Sequence, residues 1–187
     1  ATSVAEVSLG LMLGLARKIP MADRTTKAGG WDRKGCTGVE LAEKTLAICG
    51  FGRVGRKVAR YARAFGMSVV VSDPFVEADS PALAEVEGKL CATVEEALAA
   101  ADYISAHSPL TPETKQMFNA DRFAAMKPGA FFLNTSRGGI VDEAALVAAL
   151  KSGHLGGAAL DVREKEPPGE PSELEAMDNV ILMPHVG

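Results

Sequence analysis

Six residues, Gly50-Phe51-Gly52-Arg53-Val54-Gly55, constrain this chain more than any other stretch. They stand between Thr45-Leu46-Ala47-Ile48-Cys49, which reads as a buried strand, and a segment from Arg53 to Phe65, which reads as a helix. A second apolar run, Val69-Val70-Val71-Ser72, ends in Asp73, eighteen residues past Gly55. Strand, glycine turn, helix, strand and acid in that order form a dinucleotide-binding unit. Gly50 permits the tight turn, Gly52 lets the backbone approach a pyrophosphate, and Gly55 lets helix and strand pack closely. The unpaired N–H groups at the helix start favour phosphates. Asp73 can accept hydrogen bonds from both adenosine ribose hydroxyls, and its charge repels a 2′-phosphate, so NAD is expected over NADP. Glycine turns between strand and helix also occur in α/β proteins that bind no nucleotide. A methyltransferase can pair such a turn with an acid after the second strand, but the motifs further along the chain argue against that reading.

The length of 187 residues suits one domain, and 47% apolar with 24% charged residues is ordinary for a globular protein. The net charge of −4 and the lack of a basic run point away from nucleic acid and from an anionic membrane surface. Cys36, Cys49 and Cys91 are odd in number and lack CxxC spacing, which argues against a disulfide framework or a metal site and for reduced, cytoplasmic thiols. The apolar stretch Leu9 to Ala16 has Glu6 before it and Arg17-Lys18 after it, the wrong order for a signal peptide, and it is too short to span a bilayer. It reads as a helix over Ser3–Arg17, with Ser3 and Glu6 as a capping box and with Gly10 and Gly14 forming a smooth strip. The absence of an initial Met and an end just past Pro184-His185 read as cuts through a longer protein.

A Gly-rich loop is expected from Ala28 to Gly38. From Thr45 onward, strands are expected at 45–49, 67–72, 88–92, 102–107, 130–135, 156–161 and 179–183, and helices at 53–65, 94–100, 120–126 and 142–151. Thr93 and Asp142 are expected N-caps, Gly153 a left-handed terminator, and Pro128-Gly129 a helix stop. This alternation predicts the α/β class, a doubly wound parallel sheet of the Rossmann dinucleotide-binding kind, with ligands beyond the carboxyl ends of its strands.

Several residues that could carry chemistry fall at those ends. Arg137 follows the strand at 130–135, and its planar fork can grip a carboxylate through two parallel hydrogen bonds. Asp161 ends the next strand, where it could meet a nicotinamide or cap a turn. Glu166 lies in a charged loop, Glu164-Lys165-Glu166-Pro167-Pro168, that composition alone reads as a solvated surface. His185 follows the last strand and is a candidate acid/base.

Asn134-Thr135-Ser136-Arg137-Gly138-Gly139-Ile140-Val141-Asp142, Ala158-Ala159-Leu160-Asp161-Val162, Pro184-His185 and His107-Ser108-Pro109-Leu110-Thr111-Pro112-Glu113-Thr114 together resemble the D-isomer-specific 2-hydroxyacid dehydrogenases, over essentially the whole chain. The resemblance implies a triad of Arg137, Glu166 and His185. Arg137 would anchor the substrate carboxylate and polarise the adjacent carbonyl. His185 would give a proton to that carbonyl oxygen as hydride arrives, and Glu166, with Glu164 as its near neighbour, would orient the ring. Formate enzymes of the family carry glutamine at the glutamate position, so Glu166 argues against formate. For NAD, the resemblance implies Gly50, Gly52, Arg53, Val54 and Gly55 at the pyrophosphate and Asp73 at the ribose. Ser108, Pro109 and Thr114 would lie along the adenosine and linker, Thr135, Ser136, Arg137 and Asp161 toward the nicotinamide, and His185 and Gly187 would also contact the cofactor. His107 and His154 are expected to be structural or exposed.

The resemblance further implies that residues 1–187 are the cofactor domain alone, with the substrate lobe built by other parts of a longer chain. It implies a 2-hydroxy or 2-oxo acid substrate, and a homodimer in which the helix and arm of residues 1–40 reach the partner. A non-catalytic NAD sensor or corepressor-like interaction protein on the same domain is the alternative.

Overall fold

A computed structural model describes residues 1–187. Seven parallel strands form one sheet: β1 (Thr45–Cys49), β2 (Ser68–Ser72), β3 (Lys89–Leu90), β4 (Tyr103–Ala106), β5 (Phe131–Asn134), β6 (Gly157–Leu160) and β7 (Val180–Leu182). The spatial order is β3-β2-β1-β4-β5-β6-β7, so the chain winds outward first one way and then the other from the β1/β4 junction. That junction is the switch point beside which such sheets bind ligands.

The helices are α1 (Thr2–Ala16), α2 (Ile19–Lys27), α3 (Arg53–Ala64), α4 (Pro81–Glu85), α5 (Val94–Ala100), α6 (Ala120–Ala125) and α7 (Glu143–Lys151). They cover both faces, and strand alternation divides the core between them. Leu46 and Ile48 of β1 point to the face packed by α1, α3 and α4, together with Met12, Val58 and Leu83. Ala47 and Cys49 point to the opposite face, with Leu98, Phe123 and Leu146 of α5, α6 and α7. On that second face Phe118, Phe123 and Phe132 form an aromatic cluster, with the Phe123 and Phe132 rings edge-on at 5.3 Å.

The expected strands all form, mostly one residue shorter at each end; the run at 88–92 pairs only over Lys89–Leu90, against β2. Thr93 caps α5 by accepting from the Glu96 amide, Asp142 caps α7 by accepting from the Ala145 amide, and Gly153 is left-handed at φ 76°. The capping box at Ser3 and Glu6 does not form. The helix begins at Thr2 with Ala1 as N-cap, so Ser3 already lies inside the first turn. α2 and α4 were not anticipated. Both are short with Pro in the first turn, and α2 buries no residue, so no apolar stripe announces it. Gly14 packs within the molecule, since a Cβ there would meet Ile181 Cδ1 at 2.9 Å, whereas Gly10 faces open space. The three cysteines are free thiols. No helix is long and apolar enough to cross a membrane.

Candidate active site

The glycine turn joins β1 to α3 through three different uses of a missing side chain. Gly50 has φ 100°, in the left-handed region that L side chains avoid, and a Cβ there would press on His107 C at 2.8 Å. Gly55 is buried, and its Cβ would collide with the Gly50 carbonyl oxygen and meet Ile48 Cγ2 at 3.0 Å. Gly52 is the N-cap of α3, and nothing lies within 4 Å of its Cβ position. No side chain caps this helix, so its first N–H groups remain available above an open cradle. Arg53 is exposed at the helix start and Val54 is half-buried behind it. A dinucleotide pyrophosphate fits this arrangement of free donors and absent Cβ atoms.

Asp73 follows β2 and reaches back to the turn. One carboxylate oxygen accepts from the Phe51 amide at 2.7 Å and the other from the Phe75 amide at 2.9 Å. The acid therefore also fixes the glycine turn, a role that spacing does not reveal. Each oxygen keeps acceptor capacity for a ribose hydroxyl.

Beyond β4, His107 and Ser108 sit against Gly50, and the Ser108 hydroxyl donates to the Cys49 carbonyl at 3.3 Å. The Thr114 hydroxyl donates to the Pro109 carbonyl at 2.6 Å and closes that loop. His107 hydrogen-bonds Ser105 through Nε2 at 2.8 Å, while its buried Nδ1 has no partner. Burial pushes its pKa down to about 4, consistent with a structural rather than an acid/base role.

Beyond β5, Asn134 shapes the turn that carries Arg137. Its side-chain oxygen accepts from the Ser136 amide and hydroxyl at 3.0 and 2.9 Å, and its amide donates to the Arg137 carbonyl at 2.9 Å. Thr135 is buried, its hydroxyl 2.7 Å from that of Ser8 on α1. The Arg137 side chain is exposed and touches only the Ser136 carbonyl, so its fork is available to a ligand.

Beyond β6 and β7 lies the candidate acid/base pair. His185 Nδ1 is 2.7 Å from Glu166 Oε2. Burial raises the Glu166 carboxyl, but the Arg163 amide, the His185 hydrogen bond and the charges of His185 and Arg137 outweigh it and hold the group below the usual carboxylate range. An ionised carboxylate only accepts, so the Nδ1 proton belongs to His185 and Nε2 is left free for other chemistry. Glu164 takes no part in the pair; its amide donates to Glu143 at 2.6 Å.

Asp161 holds His185 in place. The His185 amide donates to the Asp161 carbonyl at 2.8 Å, and the Val186 and Gly187 amides donate to the two carboxylate oxygens at 2.9 Å each. His185 itself is left-handed, at φ 58°, a strained conformation for a non-glycine residue that such ties can sustain. The space at Gly187 is filled by Asp161 and Val4, so this glycine packs against the protein. A cavity of about 480 Å³ opens beside Glu166 and His185. Sequence reasoning missed Asn134 and Arg163 as shapers of the site. The only available signal was the polar residue Asn134 ending an apolar strand; Arg163 lies three residues past the end of β6 and gave none.

Residues 9–187 match the family model described as D-isomer specific 2-hydroxyacid dehydrogenase, NAD binding domain. The chain is 45% identical over 186 residues to the D-3-phosphoglycerate dehydrogenase of Methanocaldococcus jannaschii, covering 99% of this chain and 35% of that one. It is similar in structure to a glyoxylate reductase from Paecilomyes thermophila, with a TM-score of 0.89 at 37% identity, covering 99% of this chain and 55% of the other. The D-lactate dehydrogenase of Aquifex aeolicus complexed with NAD and lactic acid aligns with a TM-score of 0.87 at 35% identity, over 98% and 59% of the two chains. The chain spans about a third of the length of the curated relatives it matches.

Proposed function

The chain belongs to the D-isomer-specific 2-hydroxyacid dehydrogenases, and from that premise we propose that it is the NAD-binding half of an enzyme that interconverts a 2-hydroxy acid and its 2-oxo acid. The observation that carries this reading is the Glu166–His185 pair at 2.7 Å, standing at the same strand ends as Arg137 and the open glycine cradle. When bound, NAD supplies the acceptor or donor of hydride. The protein does the rest. Arg137 binds the substrate carboxylate through its free fork. Hydride addition leaves negative charge on the carbonyl oxygen, and His185 Nε2 delivers a proton there in reduction or removes one in oxidation. Glu166 keeps the other ring nitrogen protonated and so presents Nε2 to the cleft. Arg53, Val54, Ser108, Pro109, Thr114, Thr135, Ser136 and Asp161 would line the cofactor.

The curated relatives are named D-3-phosphoglycerate dehydrogenases, which makes 3-phosphoglycerate the first substrate to try. A lobe supplied by other parts of a longer chain would close the cleft over it, and residues 1–40 would join two copies. Free Cys36, Cys49 and Cys91 support a reducing, cytoplasmic setting.

The test is a parallel titration with NADH and NADPH, followed by nucleotide fluorescence, on the wild type and Asp73→Asn. Saturable NADH binding that exceeds NADPH binding, with the preference lost in the variant, is the expected result. Failure to bind either nucleotide would sink the reading.

A further inference from the structure

The loop that carries Glu166 has little of its own to hold it. Residues 164–171 are all exposed, with no apolar anchor among them. The residue before them is different. Arg163 has a side chain only 9% exposed, in a loop that otherwise faces water. Burying a guanidinium is costly unless its donors are met, and here they are. Nε and Nη2 donate to the two oxygens of Glu143 at 3.1 and 3.0 Å, a bidentate pair anchored at the start of α7. Nη1 donates to Glu175 at 2.9 Å and Nη2 also to the Ser172 hydroxyl at 3.0 Å, on the far side of the loop. One side chain thus ties both ends of the Glu166 loop to a helix.

The backbone of the same residue faces the site. The Arg163 amide donates to Glu166 Oε1 at 2.9 Å, while Glu166 Oε2 holds His185. The Arg163 carbonyl packs where a Cβ of Gly138 would otherwise stand, next to Arg137. Arg163 therefore touches the supports of all three candidate catalytic side chains, and it also lines the wall of the cavity beside Glu166 and His185.

We propose that Arg163 is a positioning residue: its clamp on Glu143, Glu175 and Ser172 aims its own amide at Glu166 and thereby fixes the ring orientation and tautomer of His185. The inference rests on the reading of Glu166 and His185 as the acid/base pair. It names Arg163, with Glu143, as the part of the molecule that keeps an exposed loop in working register. Lysine replaces it only in part, because its ammonium keeps the charge but lacks the rigid fork that meets two carboxylates and a hydroxyl at once.

The chain has only three histidines, so the ring nitrogens of His185 can be followed by nitrogen-15 NMR in the 187-residue protein without any ligand. In the wild type, at a pH where the ring is neutral, the proton is expected on Nδ1 alone. Glu166→Ala is expected to release it to a mixture of the two tautomers. Arg163→Met should reproduce that mixture, and Arg163→Lys should fall between, while unchanged signals from His107 and His154 report an intact fold. A folded Arg163→Met protein that keeps the proton on Nδ1 would overturn the inference and leave Arg163 a mere loop anchor. If Arg163→Met does not fold, Glu143→Gln carries the same test, because it weakens the acceptor shared by the guanidinium and the Glu164 amide. A wild-type tautomer in Glu166→Ala would remove the acid/base pair itself, and with it both this inference and the reading it rests on.

Discussion

Asp161 accepts from two consecutive backbone amides with the two oxygens of one buried carboxylate, and the residue just before them is the left-handed His185. Asp161→Ala removes the acceptor of both amides, which lie on the exposed residues Val186 and Gly187, at a cost of about 0.5–1.5 kcal/mol for each hydrogen bond lost. We expect a fall of about 1–3 kcal/mol in unfolding free energy by urea titration, together with loss of the Glu166–His185 hydrogen bond; an unchanged midpoint would mean the segment is held elsewhere. Two other residues divide the acid response of the fold into separate windows. The pKa of His107 lies near 4, below the ordinary histidine value of about 6.5, so the unfolded chain takes up a proton first as pH falls. Stability is then lost between about pH 6.5 and 4, at up to about 1.4 kcal/mol per pH unit, and no further below that. His107→Asn should flatten this part of the curve of urea midpoint against pH. Glu175 is held down to about 2 by the Ser172 hydroxyl and the Arg163 guanidinium. Its contribution is present above the ordinary carboxylate range and disappears as pH falls toward 2, so Glu175→Gln should lower the urea midpoint above that range and approach the wild type as pH nears 2.

At the scale of elements, the junction of β1 and α3 separates binding from folding. Gly52 and Gly55 lie three residues apart in one motif, yet their surroundings are opposite: open space at the first, the Gly50 carbonyl at the second. Gly52→Ala is expected to leave the thermal midpoint within a few degrees of wild type and to abolish saturable NADH binding, because the new methyl group stands in the cradle. Gly55→Ala forces α3 away from β1, and overpacking of this kind costs about 1–3 kcal/mol, so both stability and binding should fall. Equal stability loss in the two variants would show that the cradle is not open. The motif itself was legible from residues, as were the caps at Thr93 and Asp142, because each depends on neighbours within a few positions. α2 and α4 were not, because neither has a periodic apolar face of any length.

For the molecule as a whole, α1 is an integral part of one core face, with Ala5, Met12 and Ala16 fully buried. Its removal should therefore unfold the domain, and deletion cannot isolate an interface. The arm that follows is a better handle. Trp31 is 81% exposed and Ile19 and Val39 are half exposed, large apolar groups in a segment we assign to the contact between two copies. Trp31→Ser should convert a dimer to a folded monomer in sedimentation velocity; a wild-type chain that sediments as a monomer would end that assignment. The sequence by itself determined what local chemistry can encode: the alternating α/β pattern, the doubly wound sheet, the glycine turn with its acid, and the residue types waiting at the strand ends. Only the tertiary structure decided how those residues meet. Glu166 and His185 are nineteen positions apart on an exposed loop and a strand end, and charged-loop composition carries no trace of the buried Arg163 clamp that unites them. The physical reason is range. Turns, caps and strand alternation are governed by neighbours along the chain, whereas a hydrogen bond across two loops depends on where the sheet delivers their ends.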